Sequence, residues 1–269
     1  AIPVATWNNT STCVITGVTG SVPTGLGQSF GNFTWNCTAQ SSNRNLAGAL
    51  TTVNGTLTVS STNGRTLYLT DNTTLSLTVG GDLNLLNGEL TFAQNNSASF
   101  TMNLAGDLNI SGGDLVFAEG NSATAVATIN NFSLSNGSMI FSTGNNATVT
   151  LNVNGGFSQS NGAIDLSNAT QVGIMTLNVT GNFTQSGGTF DFASGNANTA
   201  RTPALNLSGN FSQTGTGYMW TGTGDTQITN GTITFNKNGT QTFSIASLSN
   251  LIYVNYVVAA SSITELNSS

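Results

Sequence analysis

One motif recurs along most of the chain with a period of about 25 residues, within the range that marks a repeat architecture. It reads LTVGGDLNLLNGELTF from Leu77 and LNVTGNFTQSGGTFDF from Leu177. One large apolar position is filled at nearly constant spacing in six successive copies, by Leu83, Leu108, Phe132, Phe157, Phe183 and Phe211. The repeat therefore limits the fold to a stack of similar units.

A second apolar column lies later in each repeat. Each of its residues comes two positions after another large apolar residue, as Phe92 comes after Leu90. Both side chains therefore lie on one face of a strand. Dipeptides such as Asn87-Gly88 stand just before this strand and tolerate the positive φ of a sharp corner. The column comprises Phe92, Phe117, Phe141, Leu166, Phe192 and Trp220. Each repeat is thus predicted to contain three short strands joined by corners.

These units predict an all-β, parallel, right-handed β-helix, or β-solenoid, with three strands in each coil. A unit of about 25 residues cannot bury its apolar face alone, so each strand pairs with its copy in the next coil. The period is too short for a propeller blade of about 40–50 residues, and the consensus differs from that of leucine-rich repeats. We expect an N-terminal cap over residues 1–50, coils over residues 51–243, and a C-terminal β segment over residues 244–269.

The composition and charge of the chain exclude several functions. Histidine is absent, which rules out a Ser-His-Asp triad and a Cys-His pair. The four basic residues do not cluster, so we expect no nucleic-acid partner. No apolar run approaches the roughly 20 residues of a membrane-spanning helix. We expect neither catalytic residues nor an enzyme.

Acidic residues at equivalent positions are the remaining candidates for chemistry. Three pairs fall one coil apart, namely Asp82 with Asp107, Glu89 with Asp114, and Asp165 with Asp191. A separation near 5 Å would suit a retaining glycosidase pair, or carboxylate ligands of Ca²⁺. No aromatic or basic platform accompanies these pairs, so we expect solvated surface carboxylates. Asp82 and Asp107 are the candidates for a Ca²⁺ site, and no other metal or cofactor is expected.

Two cysteines, Cys13 and Cys37, lie in the aromatic-rich N-terminal segment. Without histidine they do not form a zinc site. We expect a disulfide, which would stabilise the cap by about 3 kcal/mol and place the protein in an oxidising compartment. Two free buried thiols are the alternative.

Several segments together resemble a known group of proteins. They are TWNNTSTCVITGVTG and SFGNFTWNCTAQ near the N-terminus, the repeat LNVTGNFTQSGGTFDF, and GTITFNKNGTQTF near the C-terminus. The chain resembles the large secreted, repetitive β-helix surface proteins of Bacteroidota, adhesin-like substrates of the type IX secretion system. The resemblance covers nearly the whole chain and implies an extracellular or cell-surface location.

The leading expectation is a structural protein, a rod segment of a surface fibre or adhesin stalk that associates with itself end to end. The proposed assembly residues are strongly β-prone and uncharged: Leu251, Ile252, Tyr253, Val254, Tyr256, Val257 and Val258. A carbohydrate-binding adhesin with surface polysaccharide as its partner is the second candidate, and a solenoid lyase or glycosidase is the third. The many Asn-X-Ser/Thr triplets permit glycosylation. An ice-binding face ranks last, because strict Thr-X-Thr columns are not evident in the sequence.

Overall fold

The computed structural model describes residues 1–167, 173–192, 202–220, 231–246, 251–252, 254–259 and 262–268. These residues form three parallel sheets and contain no helix. Successive strands pass from one sheet to the next, so each sheet gains one strand in each coil. The predicted parallel β-solenoid with three strands in each coil is confirmed, and so is its period.

The strands of the three sheets alternate along the chain. Sheet A contains β1 (Thr12–Ile15), β3 (Asn32–Asn36), β6 (Leu57–Ser61), β9 (Leu83–Leu85), β12 (Leu108–Ile110), β15 (Phe132–Leu134), β18 (Phe157–Gln159), β21 (Phe183–Gln185), β24 (Phe211–Gln213), β27 (Gly239–Ile245) and β30 (Ser262–Ser268). Sheet B contains β2 (Ser29–Phe30), β5 (Thr52–Val53), β8 (Thr74–Val79), β11 (Ser99–Leu104), β14 (Thr124–Ile129), β17 (Thr148–Val153), β20 (Ile174–Val179), β23 (Thr202–Leu207), β26 (Thr232–Phe235) and β29 (Asn255–Val258). Sheet C contains β4 (Arg44–Asn45), β7 (Thr66–Thr70), β10 (Glu89–Ala93), β13 (Asp114–Ala118), β16 (Ser138–Ser142), β19 (Ala163–Asp165), β22 (Thr189–Asp191), β25 (Tyr218–Trp220) and β28 (Leu251–Ile252).

The first predicted column runs through the interior of sheet A in the expected register. Leu83, Leu108, Phe132, Phe157, Phe183 and Phe211 are Cα partners in sequence along successive strands. The Phe183 ring stacks on Phe157 at 4.8 Å and on Phe211 at 5.1 Å between ring centroids. Phe243 adds a further ring beyond Phe211, at 4.9 Å. The coils therefore share one continuous apolar ladder.

The second predicted column is correct for most of its length and wrong at its last residue. Phe92, Phe117 and Phe141 follow one another at 5.0 and 5.1 Å, and Leu166 and Phe192 are also fully buried. Trp220, however, pairs with Asp191, and Met219 takes the position beside Phe190. The sequence-based alignment places Tyr218 beside Phe190, which is one residue out of register with the structure. In a strand, such a shift moves every side chain to the opposite face.

The N-terminal segment both caps the stack and contributes to it. Strands β1 to β4 already belong to the three sheets, so the solenoid begins well before residue 51. Trp7, which precedes β1, packs on Phe30 of β2 with ring centroids 5.2 Å apart. The Gln28 side chain fixes this cover, because its Oε1 accepts hydrogen bonds from Ala5 N and Trp7 Nε1. Residues 1–28 thus cover one end of the core.

The C-terminal segment continues the same three sheets. Strands β28, β29 and β30 pair in parallel with β25, β26 and β27, respectively. The described residues of the C-terminal β segment, predicted over residues 244–269, therefore continue the coils. The described part of this segment forms one more coil.

Glycine at one corner allows successive coils to approach closely. Gly88, Gly113, Gly137, Gly162 and Gly188 all have φ between 76° and 89°. A Cβ built on Gly137 would collide with the Gly113 carbonyl oxygen of the preceding coil. Positive φ and this close approach both favour glycine, as the Asn-Gly and Gly-Gly dipeptides indicated.

Candidate functional site

The acidic pair Asp82 and Asp107 belongs to a hydrogen-bonded ladder at the corner that precedes sheet A. Asp82 Oδ1 accepts a hydrogen bond from Asp107 N at 2.9 Å, and Asp107 Oδ1 accepts one from Asn131 N at 3.1 Å. Asn131 Oδ1 then accepts a hydrogen bond from Gly156 N at 2.8 Å. The Asp107 oxygen also receives the side-chain amides of Asn130 and Asn131, each at 2.9 Å. These side chains tie each coil to the next.

This ladder gives the two carboxylates a structural role whether or not a cation binds. A Ca²⁺ ion requires six to eight oxygen ligands, and in the described residues no three His, Cys, Asp or Glu side chains group as a metal site would require. The same acceptor position recurs at Asn32, Asn182 and Asn210, which accept backbone N–H groups at 2.8, 2.9 and 3.0 Å. Asparagine performs this role as well as aspartate, so the position does not depend on negative charge.

The pair Glu89 and Asp114 lies side by side on sheet C. Glu89 Oε1 accepts hydrogen bonds from Thr66 Oγ1 at 2.9 Å and from Thr91 Oγ1 at 3.3 Å. Asp114 Oδ1 accepts one from Ser138 Oγ at 2.6 Å. A shallow groove runs past both carboxylates and is otherwise lined by glycine and Asn87. Each carboxylate is therefore held by hydroxyl groups of neighbouring residues.

The pair Asp165 and Asp191 corrects one sequence-based expectation. The two residues are Cα partners on β19 and β22, as the repeat alignment predicts. Asp191, however, is only 6% exposed, whereas a solvated surface carboxylate was expected. Asp165 Oδ1 accepts a hydrogen bond from Ser167 N at 2.9 Å. The residues that follow, 168–172 and 193–201, lie outside the described part of the chain.

A polar contact beside sheet C, between Glu119 and Tyr68, was not predicted from the sequence. Glu119 as a whole is exposed, but partial desolvation of its carboxyl raises the pKa of that group. The nearby Glu89 carboxylate raises this pKa further, and a hydrogen bond from Tyr68 opposes both effects. The Tyr68 hydroxyl also receives Asn43 Nδ2 at 3.1 Å. Asn43, Tyr68 and Glu119 come from three different coils, so only the register of the stack could have placed them together.

The predicted disulfide is wrong, because Cys13 and Cys37 are both free, buried thiols. Cys13 is the Cα partner of Phe33 on the neighbouring strand, and Cys37 follows Phe33 by four residues. Four residues of extended chain span about 13 Å, whereas a disulfide requires Cα atoms within about 7 Å. Cys37 Sγ instead donates a weak hydrogen bond to Ile15 O at 3.4 Å. Burial raises the pKa of both thiols.

Six of the seven predicted assembly residues are described, and they lie in the last described coil. Tyr256 and Val258 pair with Ile233 and Phe235, whose side chains point inward, yet the two residues remain 46% and 49% exposed. Val257 is 46% exposed, and Val254 packs partly against the core. Leu251 and Ile252 belong to β28, whereas Tyr253 lies outside the described residues. Desolvation raises the pKa of Tyr256 to about 12.

Sheet B carries an ordered polar surface, the kind of face that ranked last among the sequence-based candidates. Residues of β8, β11 and β14 alternate strictly between buried and solvent-facing positions, and β17 and β20 continue the alternation. The unbroken register aligns the solvent-facing residues in three columns: Thr74, Ser99, Thr124, Thr148 and Ile174; Ser76, Thr101, Val126, Thr150 and Thr176; Thr78, Asn103, Thr128, Asn152 and Asn178. We call these three columns the outer face of sheet B. None of the residues in them is charged.

Comparisons with known proteins give this chain no family. No family model matches it, and neither a curated protein nor a solved structure matches it. A search of the described residues finds no helix that could span a membrane. Function is therefore inferred from the geometry of the chain itself.

Proposed function

We propose that this chain is a rigid, extracellular structural protein, a rod segment of a surface fibre or adhesin stalk. The observation that carries the proposal is the uninterrupted stack, in which sheet A passes through eleven strands in regular order. Each inter-coil step combines a parallel backbone ladder with stacked side chains, so bending the rod would break many contacts at once.

Polar ladders add to the stiffness that a rod requires. Inside the core, Gln185 Nε2 donates to Gln159 Oε1 at 3.0 Å, and Gln213 Nε2 donates to Gln185 Oε1 at 2.8 Å. These three glutamines are at most 1% exposed. A buried amide that shifted out of register would lose its partner at a cost of about 1–3 kcal/mol. The ladder therefore favours one fixed register between coils.

The extracellular location is supported by the resemblance to secreted β-helix proteins and by the nearly uncharged, polar composition. The free cysteines remove the disulfide as an argument for an oxidising compartment. Low charge on the rod surface reduces repulsion between rods and makes lateral packing insensitive to salt.

End-to-end association is the mode of assembly that we propose. The inward-facing but half-exposed Tyr256 and Val258 would be buried by a coil stacked on β29. The strands of the last described coil also present backbone N–H and C=O groups that a strand of a second molecule can pair with. A head-to-tail contact of this kind does not close on itself and produces a filament.

Negative-stain electron microscopy tests this proposal when combined with light scattering over a range of concentrations. We expect rods that lengthen with concentration. Tyr256→Lys should place a charge on the contact and keep the rods single, because burying an unpaired charge is costly. The matched variant Leu86→Lys alters a residue that is 47% exposed, follows β9 in a central coil far from both ends, and should leave assembly unchanged. A monodisperse monomer at all concentrations would contradict end-to-end association.

A further inference from the structure

The outer face of sheet B differs from the rest of the surface in its two-dimensional order. Neighbouring residues of one column lie about 4.8 Å apart, the distance between paired strands, and neighbouring columns lie about 6.6 Å apart along each strand. No β-bulge interrupts the pairing from β8 to β20, so both spacings hold across the face. Water oxygens on a flat face of ice also repeat in two directions, at distances of the same order.

The chemistry of this face also suits ordered water. Apart from Ile174 and Val126, every residue of the first two columns is threonine or serine, and the third column combines threonine with asparagine. Threonine offers a hydroxyl group that bonds to water and a methyl group that orders the water around it. Its χ1 is restricted by β-branching, so the array loses little side-chain entropy when it meets a lattice.

The third column is fixed by hydrogen bonds along the solenoid axis. Asn178 Nδ2 donates to Asn152 Oδ1 at 2.8 Å, and Asn152 Nδ2 donates to Thr128 Oγ1 at 3.4 Å. The ladder continues into β23, where Asn206 Nδ2 donates to Asn178 Oδ1 at 2.8 Å. These amides hold one edge of the face in register with the coils. The first two columns remain available to solvent.

Other occupants fit this face less well. It carries no charge to recognise an ion, a phosphate or an acidic peptide. It presents no aromatic ring on which a sugar could stack, in contrast to the surfaces that bind crystalline polysaccharides. Its few apolar residues are separated, so it offers no contiguous apolar patch to a protein partner.

We propose that the outer face of sheet B binds ice. This function is additional to the rod proposed above and belongs to the side of the solenoid, so it does not require assembly. Along the solenoid axis, the five strands from β8 to β20 span about 19 Å, and along each strand the three columns span about 13 Å. A lattice match over this area lets many weak contacts form together without reorganising the protein.

The test measures thermal hysteresis and the partition of the protein into a slowly grown ice crystal. We expect the intact protein to shape ice crystals, to produce a measurable hysteresis gap and to be enriched in the ice fraction. Thr150→Tyr places a ring above the centre of the face, between Val126 and Thr176, and should abolish the gap. Tyrosine is well tolerated in strands, and circular dichroism verifies that the variant folds.

Two further variants separate a specific face from a general surface effect. Thr58→Tyr makes the same change at a half-buried, outward position of sheet A and should leave the hysteresis gap intact. Val126→Thr supplies a hydroxyl where the second column lacks one and should widen the gap. Exclusion from ice, equal losses in the two tyrosine variants, or binding to crystalline cellulose without binding to ice would each overturn the proposal. The electron-microscopy test of assembly is unaffected by any of these results.

Discussion

Replacing Phe183 with alanine removes one ring from the middle of the interior ladder. The ring is fully buried, lies nearly parallel to Phe157 and Phe211, and meets Phe190 edge-on at 5.7 Å. The backbone ladders hold the neighbouring coils at their spacing, so the two stacked rings cannot collapse into the space. We therefore expect a loss of about 3–5 kcal/mol in the free energy of unfolding, toward the upper end of the range for Phe→Ala.

Urea denaturation followed by circular dichroism measures this loss. Ser158→Ala is the matched control, because Ser158 is exposed on the outer side of the adjacent strand and should cost less than about 0.5 kcal/mol. Both variants should keep the slope of the transition, since neither changes the surface exposed on unfolding by much. Similar midpoint shifts in the two variants would refute the assignment of Phe183 to the core.

The cysteines, the corners and the Glu119 carboxyl each give a further prediction. Cys13 and Cys37 should both react with a thiol reagent only after the protein is unfolded. If the unfolded protein shows no reactive thiols in the absence of a reducing agent, the structure is contradicted. Gly137→Ala should destabilise more than Gly64→Ala, because both residues have positive φ but only Gly137 would collide with the preceding coil; equal urea midpoints would oppose this. The raised pKa of Glu119 stabilises the fold at low pH, and this contribution is lost as pH rises from 4.5 through the raised value. Glu119→Gln should reduce that part of the pH dependence, measured as urea midpoints across this range, and an unchanged profile would contradict it.

The register of the central coils could be predicted from the sequence because large apolar residues recur at nearly constant spacing. The column from Leu83 to Phe211 needed only the period and the alternation of a strand. The prediction failed by one residue at Trp220, where Tyr218, Met219 and Trp220 are all large and apolar enough to fill the core. Hydrophobicity alone does not choose between such neighbours, and the choice decides which side chain faces inward.

The disulfide prediction failed because the first coil is shorter than the others. Cys13 and Cys37 are separated by close to one period, but Cys13 pairs with Phe33, which comes four positions before Cys37. The ordered outer face of sheet B could not be predicted from its strands taken one at a time. Thr148 and Thr150 each sit in an ordinary alternating strand, and only the unbroken pairing of neighbouring coils turns such strands into a lattice.

Distances between spin labels in different coils test the central claim, a regular in-register stack, most directly. Cysteines introduced at Thr34, Ser133 and Ser212, all outward on sheet A, would be labelled in pairs after Cys13 and Cys37 are replaced with alanine. Thr34 and Ser133 lie four strands apart and Thr34 and Ser212 lie seven apart. At about 4.8 Å per step, double electron–electron resonance should give backbone separations of about 19 and 34 Å. Distances that do not grow in proportion to the number of coils would contradict the solenoid.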